Sequence, residues 1–152
     1  MLVGELLAKA AIKKSFGIEI KRQQFACTEY GKPYLQNRTD VHFSISHSGE
    51  YVACGVSDRA VGTDIQKIGG YYPELAKSVC SAEELKQIGD SEDRASEFTK
   101  IWTQKEAVLK MLGTGLANDG IRDCLGGRSV QSVRIDDYWL SVCTCEVPAA
   151  KP

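Results

Sequence analysis

Three charged side chains on one predicted helix are the first residues of this chain to suggest chemistry. The segment 98–116, FTKIWTQKEAVLKMLGTGL, has apolar residues at helical spacing and ends in a glycine turn. Because a helix advances about 100° per residue, Lys105 falls within the apolar stripe, while Glu106 and Lys110 follow one another along its edge. An unpaired buried ammonium is costly, so Lys105 should have an anionic partner. The alternative is a Lys105 that extends its ammonium to solvent beside an ordinary ion pair of Glu106 with Lys110.

A carboxylate on a predicted strand is the second candidate. Asp64 lies in the strand 60–68 and shares one face of it with Gly62 and Gln66. Because Gly62 has no side chain, a ligand would have room to approach the carboxylate. The alternative is an edge-strand aspartate that faces water.

Several strands and helices must position these residues. Alternating apolar residues predict strands over 41–46, 51–56 and 60–68, joined as a meander, and a hairpin of 130–135 with 139–147. The strand 41–46 should be half-buried, with its serines on the polar face. A helix over 2–15 should end at Gly17 and present an apolar face formed by Leu2, Val3, Leu6, Leu7, Ala10 and Ala11.

Shorter elements complete the prediction. The sequence allows a short strand at 18–20 and places a turn at 31–33, where glycine and proline flank Lys32. A short helix is expected over 74–79. A capping box formed by Ser81 and Glu84 should open the next helix. The pair Asp90-Ser91 is then expected to cap the long helix.

Composition restricts the class of protein. The chain has 152 residues, about one domain, with 43% hydrophobic residues, 26% charged residues and a net charge of −1, which argues against nucleic acid or an anionic membrane as the main partner. Its six cysteines show neither CxxC spacing nor a histidine pair, so we expect reduced thiols and no zinc site. The N-terminal stretch is amphipathic and unlike a signal peptide, and no segment approaches the ~20 apolar residues of a membrane span. The expected compartment is the cytoplasm.

Four segments together resemble a known family. GKPYL at 31–35, FSISHS at 43–48, VGTDI at 61–65 and WTQKEAVLK at 102–110 resemble the Sfp-type 4'-phosphopantetheinyl transferases in order and spacing. The resemblance implies an α+β fold made of a pseudo-two-fold pair of halves with antiparallel sheets. It also implies Mg²⁺-dependent transfer of 4'-phosphopantetheine from coenzyme A to a serine of an apo acyl or peptidyl carrier protein, with release of adenosine 3',5'-bisphosphate.

The resemblance assigns catalytic and metal roles. Asp64 and Glu106 would hold Mg²⁺ through hard oxygen ligands, with water and the pyrophosphate completing the octahedron. Glu106 would also help to activate the carrier serine, directly or through a water. Lys110 would pair with a phosphate oxygen, and Lys105 becomes plausible as a phosphate contact if the apolar stripe opens onto the substrate.

Three further residues match family positions that hold the 3'-phosphate end of coenzyme A. Lys32, Ser46 and His47 offer an ammonium, a hydroxyl and an imidazole, which are suited to charge-assisted hydrogen bonds with a phosphate. A hydrolase-type nucleophile pair of Ser46 and His47 is the competing interpretation. Adjacent residues at a strand end point apart, which disfavours it.

The sequence departs from the family pattern at two points. Gln66 stands where many members carry a second acidic residue, so we expect weaker Mg²⁺ binding with retained activity. Within a single transferase domain, 1–152, the first half, 1–60, is expected to be abbreviated, while 61–152 carries the metal and catalytic motifs. Either the cleft survives with fewer phosphate contacts, or a second copy in a homo-oligomer covers the exposed edge.

Two other functions remain open at this point. The first is a non-catalytic coenzyme A-binding or regulatory module derived from the same fold. The second is a Mg²⁺-dependent hydrolase of pyrophosphate-containing nucleotides, which would use the same groups with water as nucleophile. The sequence names neither the carrier protein nor its pathway, and we expect carrier recognition near 69–79.

Overall fold

Four α-helices and seven β-strands form an α+β fold in the computed structural model, which describes residues 2–114 and 120–146. The helices are α1 (Leu2–Phe16), α2 (Pro73–Val79), α3 (Ala82–Asp90) and α4 (Arg94–Leu112). The strands are β1 (Phe25–Cys27), β2 (Pro33–Leu35), β3 (His42–Ser48), β4 (Tyr51–Ser57), β5 (Val61–Lys67), β6 (Val130–Ile135) and β7 (Tyr138–Thr144).

The strands form three antiparallel sheets. β1 pairs with β2, β3 pairs with β4, and the third sheet has the order β5-β7-β6. Helix α1 lies on the hairpin of β3 and β4, and α4 lies on β5 and β7. This architecture confirms the predicted α+β class with antiparallel sheets. In the part of the chain that the structure describes, no helix combines the length and the apolar character needed to cross a bilayer.

Helix α1 buries a different face from the predicted one. Its buried residues are Gly4, Ala8 and Ile12. At Gly4 the helix is so close to the sheet that a Cβ would lie only 2.8 Å from Cγ2 of Ile45. Gly4 therefore permits the close approach of the helix, while Ala8 and Ile12 contribute to the hydrophobic core. Three members of the predicted apolar face are instead largely exposed, namely Leu2 at 60%, Val3 at 63% and Leu6 at 55%.

Strand β5 is not the third strand of a meander. It pairs with β7 over seven residue pairs, from Val61 opposite Thr144 to Lys67 opposite Tyr138. Alternation in the sequence shows which side chains share a face, but it does not name the neighbouring strand. The predicted hairpins of β3 with β4 and of β6 with β7 are confirmed, while the predicted end at Val147 lies outside the described residues.

Serine side chains join β3 to the free edge of β5. The hydroxyl oxygens of Ser44, Ser46 and Ser48 accept hydrogen bonds of 3.0 to 3.1 Å from alternate backbone N–H groups of β5, those of Thr63, Ile65 and Lys67. We call these three contacts the serine seam. We predicted that the polar face of β3 would be exposed to solvent, but Ser44 and Ser46 are buried. The seam connects the sheet of β3 and β4 to the sheet of β5, β7 and β6 through side-chain hydrogen bonds and not through backbone pairing of β3 with β5.

The helix ends follow side-chain chemistry. Ser81 and Glu84 form the predicted capping box at the start of α3. The cap of α4 is Asp93, whose carboxylate accepts from the backbone N–H of Ser96 at 3.0 Å, and not Asp90-Ser91, because α3 itself runs through Asp90. The α4 helix ends at Gly113 with a φ of 74°, a left-handed conformation that glycine adopts without strain.

Candidate active site

A close contact between helix α4 and strand β5 builds the site. A Cβ at Gly62 would overlap the backbone carbonyl oxygen of Ala107, so only glycine permits this approach. The space beside Gly62 is therefore filled by a helix and not left for a ligand, which corrects the expectation from sequence. The same contact brings Asp64, two residues further along β5, against the face of α4 that carries Glu106 and Lys110.

Hydrogen bonds between side chains fasten α4 to the sheet near this point. The Thr103 hydroxyl lies 2.8 Å from that of Ser141, which in turn lies 2.8 Å from that of Ser132. Gln104 donates to the Ser132 hydroxyl at 3.0 Å. No motif in the sequence indicates this network. The alternation that places Ser132 and Ser141 on one face of their strands was the only available signal.

Asp64 is almost completely buried and fully engaged. Its side chain is 3% exposed, which excludes the alternative of an edge aspartate that faces water. One carboxylate oxygen, Oδ1, accepts from the Ser46 hydroxyl at 3.0 Å and from Lys110 Nζ at 2.9 Å. The other, Oδ2, accepts from the Gln66 amide at 3.2 Å. Three donors therefore fix the orientation of this carboxylate.

Glu106 lies within electrostatic reach of this group. Burial raises the pKa of the Glu106 carboxyl, and the negative charge of Asp64 raises it further, whereas Lys110 acts in the opposite direction. The structure therefore brings together the three residues that sequence reasoning placed at the centre of the site. Two carboxylates and one ammonium meet there.

Lys32 joins the same region from the β1–β2 hairpin. Its Nζ donates to the carbonyl oxygen of Met111 in the last turn of α4 at 3.0 Å, and burial lowers its pKa. Next to it lies an open cleft of about 230 Å³. Residues from both parts of the molecule line the cleft, among them Tyr30, Lys32, Ile45, Glu106, Lys110 and Gly113.

The side chains of Ser46 and His47 lie on opposite faces of β3. The Ser46 hydroxyl donates its only proton to Asp64 and accepts from the N–H of Ile65 at 3.1 Å, so it has no second proton to donate. His47 is exposed on the opposite face of β3. Ser46 thus orients Asp64, a role that its position in the sequence does not indicate. The arrangement also does not form the nucleophile pair of a hydrolase.

Lys105 does not reach the cleft. It is fully buried, and its Nζ lies 2.7 Å from Oε2 of Glu84 and donates to the carbonyl oxygens of Ile121 at 2.9 Å and Arg122 at 2.8 Å. These three acceptors use all three N–H donors of the ammonium. The anionic partner expected for Lys105 is therefore Glu84. Lys105 contacts neither the cleft, where a phosphate was expected, nor solvent. The physical reason is the 100° rotation between consecutive helical residues, which turns Lys105 away from Glu106.

The chemistry of the two carboxylates fits Mg²⁺. This ion is often held by one or two carboxylates, with water and substrate phosphates as its other ligands. The repulsion that raises the pKa of Glu106 is the kind that a bound cation relieves. Within residues 2–114 and 120–146, no group of three or more His, Cys, Asp or Glu residues is placed to hold a metal. The protein would therefore supply at most the pair Asp64 and Glu106 from these residue types.

Relatives with known names cover much of the chain. A 4'-phosphopantetheinyl transferase of Bacillus subtilis is 34% identical over 118 residues, which make up 76% of this chain and 53% of the relative. The 4'-phosphopantetheinyl transferase Sfp of Bacillus subtilis (strain 168) is 32% identical over the same shares. The 4'-phosphopantetheinyl transferase psf-1 of Bacillus pumilus is 29% identical over 99% of this chain and 72% of the relative. The matched part spans about half the length of the first two relatives.

Family models agree with these relatives. The model described as 4'-phosphopantetheinyl transferase, N-terminal, matches residues 1–58. The model described as 4'-phosphopantetheinyl transferase superfamily matches residues 60–146, the part that contains Asp64, Glu106 and Lys110. The resemblance seen in the sequence is confirmed, and this chain belongs to the 4'-phosphopantetheinyl transferase superfamily.

Proposed function

We propose that this chain transfers the 4'-phosphopantetheine group of coenzyme A to a serine of an apo acyl or peptidyl carrier protein and releases adenosine 3',5'-bisphosphate. The observation that carries the proposal is that Glu106 and Lys110 line a cleft and that the buried Asp64 carboxylate lies next to both, 2.9 Å from Lys110 Nζ. Membership of the superfamily and the names of the relatives support the same reaction. The free cysteines support a reducing compartment, the cytoplasm.

Asp64 and Glu106 are proposed to hold Mg²⁺, which would neutralise charge on the pyrophosphate oxygens when bound. Lys110 pairs with an oxygen of the same pyrophosphate, and Lys32 supplies a second ammonium to the phosphates. Both lysines line the cleft. The chain thus offers cations at the place where negative charge redistributes during the reaction.

The carrier serine is the nucleophile in the proposed step. Its oxygen forms a bond to the phosphorus that bears the pantetheine arm, and the bond from that phosphorus to the bridging oxygen breaks. Adenosine 3',5'-bisphosphate leaves with the bonding electron pair. The Glu106 carboxylate accepts the serine proton, directly or through a water.

Two halves, 1–60 and 61–152, are proposed to act as one transferase domain. The two matched ranges, 1–58 and 60–146, support this division because they meet at its boundary. The lining of the cleft supports it as well, since Lys32 comes from the first half and Glu106 from the second.

Mass spectrometry of carrier proteins tests the proposal. The purified chain is incubated with coenzyme A, Mg²⁺ and a panel of apo carrier proteins, and each intact carrier is weighed. We expect a gain of one phosphopantetheine group that disappears on chelation. Coenzyme A binding without a mass gain on any carrier would instead identify a binding module. Release of adenosine bisphosphate without a carrier would identify a hydrolase.

Glu106→Gln tests the assignment of roles in the same assay. Loss of a metal ligand and proton acceptor should lower the transfer rate by at least about 100-fold. The matched control is Glu92→Gln, which removes an exposed carboxylate outside the cleft and should leave the rate unchanged. Full transfer by the Glu106 variant at saturating Mg²⁺ would show that the assigned role is wrong.

A further inference from the structure

One oxygen of Asp64 accepts from two donors of different character. Ser46 is neutral and buried, and its hydroxyl is fixed by the N–H of Ile65. Lys110 is charged, and its side chain is 32% exposed. Asp64 itself is buried, so the ammonium of Lys110 is the cation that now balances its charge. An ion pair with one buried and one accessible member can exchange its cation from the accessible side.

We infer that Lys110 and a divalent cation compete for Asp64, so that metal binding releases the Lys110 ammonium to an anionic ligand in the cleft. This inference rests on the proposed function, which assigns the metal to Asp64 and Glu106. It adds that the metal and the anionic substrate bind cooperatively, with Lys110 as the exchanged group.

Charge decides which donor must leave. A Mg²⁺ ion sits about 2.1 Å from a carboxylate oxygen, and Lys110 Nζ already lies 2.9 Å from Oδ1. Two cations so close together repel each other strongly in a partly buried site. The neutral donors of Ser46 and Gln66 carry no such penalty. Lys110 is therefore the group that gives way.

The cleft offers the displaced ammonium a new partner only when an anion is present. Lys110 lines the cleft on the same side as Glu106, and Glu106 would be occupied by the metal. The flexible four-carbon stem of lysine allows the ammonium to move by rotation about its bonds. A diphosphate bound in the cleft would accept it. Such an exchange couples the two ligands, and each must raise the affinity of the other by the same factor.

Manganese binding tests the competition without any turnover. Mn²⁺ is titrated into the full chain with no carrier protein present, and the free ion is followed by electron paramagnetic resonance. Lys110→Met and Lys110→Gln should bind Mn²⁺ about tenfold more tightly than the unmodified chain, because the competing charge is gone. Coenzyme A should tighten Mn²⁺ binding by the unmodified chain more than by either variant.

The matched control removes a lysine from a similar ion pair elsewhere. Lys86 pairs with Asp90 at 2.7 Å on the exposed side of α3, so Lys86→Met should leave Mn²⁺ affinity unchanged. Circular dichroism establishes that each variant is folded. Lys110→Gln keeps a neutral donor for Asp64, so it serves if the methionine variant does not fold.

The outcomes separate this inference from the proposed activity. Equal or weaker Mn²⁺ binding by the Lys110 variants overturns the competition even if the unmodified chain modifies carriers. Tighter binding by those variants supports it even if no carrier is modified, in which case only the transfer proposal fails. No Mn²⁺ binding by any form at millimolar concentration overturns both the competition and the metal site.

Discussion

Helix α4 carries two lysines that each pair with a carboxylate, and the two pairs differ in what surrounds them. Lys105 lies 2.7 Å from Glu84, with exposed fractions of 0% and 13% for the two side chains. Lys110 lies 2.9 Å from Asp64, with exposed fractions of 32% and 3%. In the first pair the lysine is the buried member, and in the second it is the carboxylate.

The difference separates an ion pair whose lysine is saturated with partners from one whose lysine still faces the cleft. All three donors of Lys105 are used, and its acceptors come from α3 and from the segment after residue 120, so it ties these parts of the chain to α4. Among the described residues, Lys110 has one hydrogen-bond acceptor and keeps access to the cleft. A buried charge alone therefore does not mark a functional residue. The donors of Lys110 that remain unused beside the cleft are the reason for placing it in the proposed site.

Among these variants, Lys105→Met is expected to change the free energy of unfolding the most. The variant leaves the Glu84 carboxylate and two backbone carbonyls without their cation, which should lower the free energy of unfolding by about 3 to 5 kcal/mol. Urea unfolding measures the change. Lys110→Met should cost less, because it removes one contact and not three, and Asp64 keeps its hydrogen bonds from Ser46 and Gln66.

Lys86→Met is the control for a lysine that only forms a surface ion pair. Its partner Asp90 is exposed, so the unfolding free energy should change by less than about 1 kcal/mol. A loss at Lys105 no larger than the loss at Lys86 would contradict the structural role of the buried pair.

Gly62→Ala should disturb the Lys110–Asp64 pair more than the Lys105–Glu84 pair. The added methyl group overlaps the backbone of α4 at Ala107, so the helix must move away from β5. Overpacking of this kind costs about 1 to 3 kcal/mol. Asp64 lies on β5, so its distance to Lys110 should grow, whereas the partners of Lys105 lie on α3 and after residue 120 and not on β5. Urea unfolding and Mn²⁺ titration measure the two effects.

Gly89→Ala is the matched control on α3. A Cβ at Gly89 meets nothing within 4 Å, so alanine should raise the stability of the helix by up to about 1 kcal/mol. If Gly62→Ala were equally harmless and kept its metal affinity, the close contact of α4 with β5 would not be what holds the site.

The smallest effect concerns Lys32, a third lysine whose hydrogen bonds go to backbone carbonyls. Burial lowers its pKa, so the folded chain binds fewer protons than the unfolded chain just below the ordinary lysine pKa of about 10.4. The unfolding free energy of the unmodified chain should therefore rise relative to that of Lys32→Gln as pH increases through this window. Urea unfolding between about pH 8 and 10 measures the difference. Parallel curves for the two proteins would contradict the burial effect.

Local patterns in the sequence were sufficient for much of the fold and for the centre of the site. Alternation gave the hairpins of β3 with β4 and β6 with β7, and the capping box gave the start of α3. Helical spacing placed Glu106 and Lys110 on one edge of α4, and the family motif added Asp64. These predictions depend on neighbours in sequence or on one long-range motif pair.

The remaining features depend on contacts that no local pattern specifies. The partner of Lys105 is Glu84 on another helix, and two of its acceptors are backbone carbonyls at 121 and 122, which any residue type would supply. The pairing of β5 with β7 spans more than seventy residues of sequence. The buried face of α1 includes Gly4, where the helix comes close to Ile45 of β3, a contact between distant parts of the sequence. Each of these contacts joins residues that are far apart in the sequence.

Because of the serine seam, the contact between β3 and β5 can be altered by single amino-acid substitutions. Within each sheet the hydrogen bonds belong to the backbone, so most substitutions leave them in place. At the seam the acceptors are the side chains of Ser44, Ser46 and Ser48, and a single codon can remove or reshape any one of them. Successive substitutions at these positions could therefore weaken or strengthen the contact between β3 and β5, while the backbone hydrogen bonds within each sheet stay in place.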